Sequence, residues 1–213
     1  MPFPNACERL LLPLLTLPQR YLYFLIFFVY SSNPPTPKET YRSHGILGAD
    51  DRAGIAAILE ILDFIRHSRF KGTLKIAFTV EEEIGCLGSR HIDPTFLQDV
   101  DAAIVVDRRG MRDIVTSYAG IMPFCDDNYG RIFETAGALA GMPDWKMAPG
   151  GLSDAKVFAE FGIPSVNLSV GYEHEHTELE TLDYKATLET VMLLETVFEN
   201  NMITKELFAT CKG

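Results

Sequence analysis

From Asp51 to about Ser68 the apolar residues Ile55, Ile58, Leu59, Leu62 and Ile65 recur at helical spacing and predict an amphipathic helix. Phe70-Lys71-Gly72 breaks that pattern, and Leu74 to Val80 follows as an apolar run of strand length. Ala102 to Val106 is a short continuous apolar run closed by Asp107, the pattern of a buried strand, and Asp113 to Tyr118 and Pro164 to Val170 read as two further strands. Tyr129 to Ala140, Ser153-Asp154 through about Phe161, and Asp183 to about Asn200 read as helices. Strands alternating with helices predict an α/β layered fold with a largely parallel sheet. The chain shows no internal repeat and no low-complexity segment.

The stretch from Leu10 to Tyr30 departs from this pattern, being almost wholly apolar or aromatic. It is long enough to span a bilayer. Pro13, Pro18 and Arg20 split it into pieces each shorter than a span, and Tyr21 to Tyr30 reads equally well as a buried strand, so a membrane role is not the favoured reading. Ser31-Ser32-Asn33-Pro34-Pro35 reads as a turn or linker. The chain is therefore divided into an atypical apolar segment with a Pro-rich linker, 1–40, and one principal domain, 41–213, the size a single core supports.

An apolar share of 47% with 23% charged residues is that of a globular protein. A net charge of −10 argues against nucleic acid or an anionic membrane surface as partner. Cys7, Cys86, Cys125 and Cys211 are widely spread and form no CxxC pair, which suits reduced thiols in a cytoplasmic protein.

Candidate chemistry gathers in acidic clusters at the ends of regular structure. Asp50-Asp51 sits between a Gly-Ala turn and the first helix; Glu81-Glu82-Glu83 closes the run from Leu74; Asp107 closes the next strand; Gly171 to Thr177 brings His174 and His176 among acids. Ligands in open α/β sheets lie beyond the carboxyl ends of the strands, and these clusters fall there. Crowded carboxylates repel unless a cation or proton lies between them. Carboxylates with an imidazole suit a divalent ion, zinc among them, and a two-oxygen carboxylate can bridge a pair of ions that activates water, with a neighbouring glutamate moving the proton. Each residue also has a plainer reading. Asp50 or Asp51 caps the helix, Glu81 is exposed, Asp107 pairs with Arg108 or Arg109, His67 and His91 are surface residues, and Ser153-Asp154 caps a helix. His174 is the rival of His176.

Taken together and in order, GADDRAG, EEEIGCLGS, VVD, GGLSDA and GYEHEHTELE resemble the co-catalytic dinuclear zinc exopeptidases of the M20, M28 and M42 families, especially their tripeptidase-like members. The likeness covers roughly Gly45 to Asn200. It implies a three-layer α/β/α fold around a central, mostly parallel mixed sheet. The spacing from Asp107 to His176 leaves no room for a large lid domain. By the same resemblance Asp50 is the bridging ligand, followed by Asp51 across a bond the family often holds cis. Glu82 is the general base, Glu83 binds one ion, Asp107 the other, and His176 is the last ligand, with Glu180 as an acidic support.

One departure stands out. These families carry a further histidine in a His-x-Asp motif well upstream of the bridging aspartate, and nothing before Asp50 supplies it, since the only earlier histidine is His44. A truncated or mis-started copy, a single-metal site, and substitution by His44 are all open. The expectation is a zinc-dependent hydrolase, an exopeptidase of aminopeptidase or tripeptidase type, cleaving peptide or related amide bonds with a metal-activated water. The family holds two Zn2+ ions, one is conceivable here, and Co2+ or Mn2+ would suit the same donors. Its partners would be a small peptide or N-acyl amino acid and, in a homo-oligomer, further copies of itself. The alternative is an impaired family member that binds one metal or is not an enzyme.

Overall fold

A computed structural model describes residues 40–41 and 46–204. The apolar stretch from Leu10 to Tyr30, His44, Cys7 and Cys211 lie outside the described residues. Among those described, no helix is long and apolar enough to cross a membrane.

The central sheet is built from β2 (Ala103–Arg108), β3 (Asp113–Tyr118), β4 (Met122–Pro123), β5 (Lys146–Gly150) and β6 (Ser165–Ser169). Its longer ladders are parallel: β2 with β6 from Ala103↔Ser165, and β3 with β5 from Asp113↔Lys146 to Tyr118↔Gly150. β6 meets β3 antiparallel at Ile114↔Leu168, and β4 turns back along the end of β3. A small second sheet joins β1 (Thr40–Tyr41), β8 (Thr181–Asp183) and β7 (Tyr172–Glu173), all antiparallel.

Side chains alternate across a strand, and this makes the third layer necessary. Ile114, Val166 and Leu168 face one apolar core, with α1 (Ala49–Ile65), α4 (Asp127–Leu139) and α6 (Tyr184–Glu199). Val115 faces a second, smaller core with Phe124 and with Ala155 of α5 (Asp154–Glu160). Helices therefore cover both faces, giving the α/β/α sandwich. Between Asp107 and His176 the chain is used by β3 to β7, α4 and α5, with no inserted lid domain.

The first helix differs from its predicted face. Leu59 and Leu62 are exposed, and the buried stripe is Ala49, Ala53, Ala57 and Ile61. The reason is a close approach to the sheet: a Cβ on Gly54 would lie 1.9 Å from the Val106 carbonyl oxygen, so small residues line that face. Asp126 caps α4 by accepting the Tyr129 N–H, and Asp183 caps α6 by accepting those of Lys185 and Ala186.

Leu74 to Val80 is not a strand. It finds no β partner among the described residues, and Phe78 and Val80 are exposed. An apolar run of this length favours an extended backbone, but pairing needs a neighbour in register. Two short helices follow the Glu cluster, α2 (Leu87–Arg90) and α3 (Pro94–Leu97).

Candidate active site

Four segments bring the acidic clusters together. The first is the turn entering α1. Gly48 has φ +66°, a left-handed conformation that favours glycine, and regular helical dihedrals begin only after Asp51. Asp51 accepts the Gly54 N–H at 2.9 Å and so caps the helix, as its plainer reading expected. The Asp50–Asp51 peptide is cis. Glu180, only 2% exposed, accepts the backbone N–H groups of Gly48 at 2.6 Å and Asp50 at 3.0 Å. Arg52 closes the turn from the other side through the carbonyls of Gly48 and Leu47.

The second segment is the loop from Val80 to Gly88, closed by a bond from the Gly88 N–H to the Val80 carbonyl. It exposes Glu81 and Glu83 and leaves Glu82 half-buried, 3.7 Å from the Cys86 thiol. The third is the end of β2. Asn167 accepts the Asp107 N–H at 2.9 Å and donates to the Asp107 carbonyl at 2.8 Å, while the Tyr172 hydroxyl donates to the Asp107 carboxylate at 2.9 Å. The fourth is the loop after β7, where His174 and His176 both take positive φ.

The donor atoms of Asp50, Glu83 and His176 lie within 4.8 Å of one another. His176 Nε2 is 3.0 Å from Asp50 Oδ2 and 2.5 Å from Glu83 Oε1. Asp107 lines the same cleft as Asp50, and the Asp50 charge acts on its carboxyl. His174 is not in this group. His67 and His91 are exposed, as surface residues would be. Asp107 is not paired with an arginine: Arg108 meets Asp113 at 3.3 Å and Arg109 meets Glu175 at 3.0 Å. Asp50, Glu82, Glu83, Asp107, Arg109 and His176 line one cleft of about 170 Å³. A larger hollow of about 500 Å³, lined by Leu97, Val100, Phe161 and their neighbours, holds no titratable group.

The electrostatics record what this crowding costs. Burial raises the Asp50 carboxyl above the usual range, with the Glu83 charge adding to it. Burial, then the neighbouring Asp107 charge, pushes Asp51 well up. Glu82 is pushed up to about 7 by burial and by Glu83, and Asp107 to about 8 by burial and by Asp50. Burial works against a charged His176, but its bond to Glu83 and the surrounding charges prevail and raise it. Three oxygen or nitrogen donors at one point, with further carboxylates held apart from their ordinary ionisation, form a set that fits a divalent cation.

Ser153-Asp154 does not cap α5 with its side chains. Ser153 makes no capping bond, and its hydroxyl is buried without a partner. Asp154, 7% exposed, instead accepts hydrogen bonds from Thr79 at 2.5 Å and Ser89 at 2.6 Å. Sequence reasoning missed these two hydroxyls, and also Tyr172 and Asn167. Asn167 carried a signal, since a lone amide between Val166 and Leu168 in a buried run needs internal partners. Tyr172 carried none beyond lying in the histidine motif.

The profile of the M42 glutamyl aminopeptidase family matches residues 35–193. Over 99 residues the chain is 34% identical to the uncharacterized protein YqjE of Bacillus subtilis, covering 46% of this chain and 27% of that protein. Over 71 residues it is 39% identical to Peptidase T of Clostridium botulinum, covering 32% of this chain and 17% of that one. The matched stretches thus span well under half the length of these relatives. Its fold is similar to the crystal structure of the aminopeptidase PepT from Bacillus cereus, with a TM-score of 0.64, 19% identity, and coverage of 72% of this chain and 71% of that one. A family match over most of the chain, together with the ordered motifs on this sheet edge, shows that the chain belongs to the M42 glutamyl aminopeptidase family.

Proposed function

We propose that residues 41–213 form the catalytic domain of a zinc-dependent exopeptidase of aminopeptidase or tripeptidase type, acting on short peptides or N-acyl amino acids. The observation that carries this reading is the convergence of Asp50, Glu83 and His176 within 4.8 Å beside half-buried Glu82. In it Asp50, Glu83 and His176 would hold one ion, and Asp50 with Asp107 would hold a second. Co2+ and Mn2+ suit the same donors. Bound zinc would supply a water of lowered pKa and polarise the scissile carbonyl.

The remaining work falls to side chains of this chain. Glu82, half-buried in the cleft and pushed up to about 7 in the metal-free chain by burial and by Glu83, suits a group that takes a proton from water and passes it to the leaving amine. Glu180 fixes the turn that presents Asp50, and Tyr172 with Asn167 fixes Asp107. Arg109 and Glu175, paired on the cleft wall, offer one group of each sign to the charged ends of a peptide. The free Cys86 and Cys125 accord with a cytoplasmic setting.

The test is bound metal per chain, by elemental analysis after dialysis against trace zinc, together with release of residues from tripeptides. Two ions with turnover support the reading, and the further ligand then comes from His44 or from a second copy in a homo-oligomer. One ion with weak turnover supports a single-metal site. A chain that binds no metal and cleaves nothing overturns the proposal.

A further inference from the structure

Among the described residues, the loop that carries Glu82 and Glu83 is anchored by no paired strand. In a layered α/β protein a catalytic loop is held by the strand it leaves, yet Leu74 to Val80 has no β partner among the described residues. Asp154 stands where that anchoring is missing. Its carboxylate accepts the Thr79 hydroxyl on one oxygen and the Ser89 hydroxyl on the other. Thr79 precedes the loop and Ser89 follows it, so a single side chain ties both ends. Asp154 opens α5, and α5 packs on β2 and β6, the strands that carry Asp107 and Asn167. The tie therefore runs from the Glu82–Glu83 loop to the layer that holds the opposite side of the cleft.

A carboxylate is an expensive choice for this position if packing alone were at stake. At 7% exposure it has given up most of its water, and among the described residues its side-chain donors are these two hydroxyls. Charge-assisted hydroxyl bonds are short and directional, which an apolar side chain cannot reproduce. The other link between these elements, Arg90 to Glu160 at 3.0 Å, is partly exposed and of the kind that contributes little.

We propose that Asp154 is a positioning residue that sets the Glu82–Glu83 loop against the Asp50–Asp107 side of the cleft. This rests on the peptidase reading for its catalytic consequence but not for its structural one. The test compares full-length parent, D154A, D154N and the T79V/S89A double variant by hydrogen exchange and by steady-state kinetics with metal present. Asparagine can accept one hydroxyl and donate to the other, so D154N should largely keep the tie. In D154A and T79V/S89A the amides of Gly85, Cys86, Leu87 and Gly88 should exchange about tenfold faster, with those of α4 and α6 unchanged. In the same variants kcat should fall about tenfold to a hundredfold, as small misplacement of a reacting group does, with KM little moved. If D154A fails to fold, the double variant gives the reading. Loop exchange unchanged in T79V/S89A, or raised equally in α4 and α6, overturns the proposal. Faster loop exchange in a parent-derived series that never cleaves a peptide leaves the tie standing and removes the peptidase reading instead.

Discussion

Glu180 accepts the backbone N–H of Asp50 at 3.0 Å across 130 residues of sequence. Its other oxygen takes the Gly48 N–H, so one buried carboxylate closes the turn that presents the central ligand candidate of the cleft. Removing it leaves two partly buried donors unpaired, at about 1–3 kcal/mol each for full burial. E180A is expected to lower stability by about 2–4 kcal/mol, read from the urea midpoint with unchanged slope. E180Q keeps one acceptor but turns an NH2 group towards an N–H, so it should lose part of the same stability. A variant as stable as the parent would show that the turn closes without Glu180.

Asp50 and Glu82 separate binding from chemistry. Asp50 groups with His176 and Glu83 and lines the same cleft as Asp107, so D50A should weaken every metal the chain holds, seen as loss of bound zinc after dialysis. The Glu82 side chain meets the Cys86 thiol and is not in the Asp50, Glu83 and His176 donor group, so E82Q should retain metal while turnover drops by about 10²–10⁴. Equal activity in E82Q removes Glu82 from the proton transfer, and unchanged metal content in D50A removes Asp50 from the centre.

Tyr172 and Asp107 make a finer test. The tyrosine hydroxyl holds one oxygen of Asp107 in the cleft that Asp50 also lines. Partners of this kind, one step outside a metal, typically contribute about 10- to 100-fold in affinity. Y172F deletes only the hydroxyl, so the fold should stand while zinc binding weakens by about that factor, measured by competition with a chelator. No change in affinity would mean that Asp107 is held by Asn167 alone.

Most of this architecture was legible because periodicity reports burial. β2, β3, β6, α4, α5 and α6 fall within a residue or two of their expected ends, and the family resemblance holds over most of the chain. Asp50, Glu83 and His176 converge in space, while their roles as ligands are a proposal. What failed depended on partners that one stretch of sequence does not contain. Leu74 to Val80 has the composition of a strand but, among the described residues, no neighbour in register. Leu59 and Leu62 have helical spacing, yet the helix turns its small residues inward because Gly54 meets the Val106 carbonyl. Asp154 looked like a cap because Ser-Asp before an apolar run usually is one, while its actual partners lie 75 and 65 residues away. Local patterns carry local bonds, and distant hydroxyls leave no mark on them.

Acidity links the centre to stability. Asp50, Asp51, Glu82 and Asp107 all bind protons more tightly in the folded chain, first because burial disfavours their charge. For such groups the stability they contribute is fully present below the unfolded carboxylate value near 4 and is lost as pH rises through the folded one. For Glu82 that is about 7 and for Asp107 about 8. Metal-free protein should therefore melt at a lower temperature at about pH 8.5 than at about pH 5.5. A divalent cation among the same carboxylates replaces the protons and removes the repulsion. Zinc binding only the folded chain adds about 2.7 kcal/mol at a hundredfold excess over Kd, and more at alkaline than at acid pH, where protons compete. Melting curves of the chelated and zinc-loaded chain should thus diverge as pH rises and converge as it falls. A metal-free chain whose melting temperature climbs steadily to pH 8.5 would mean that these carboxylates are not crowded in solution.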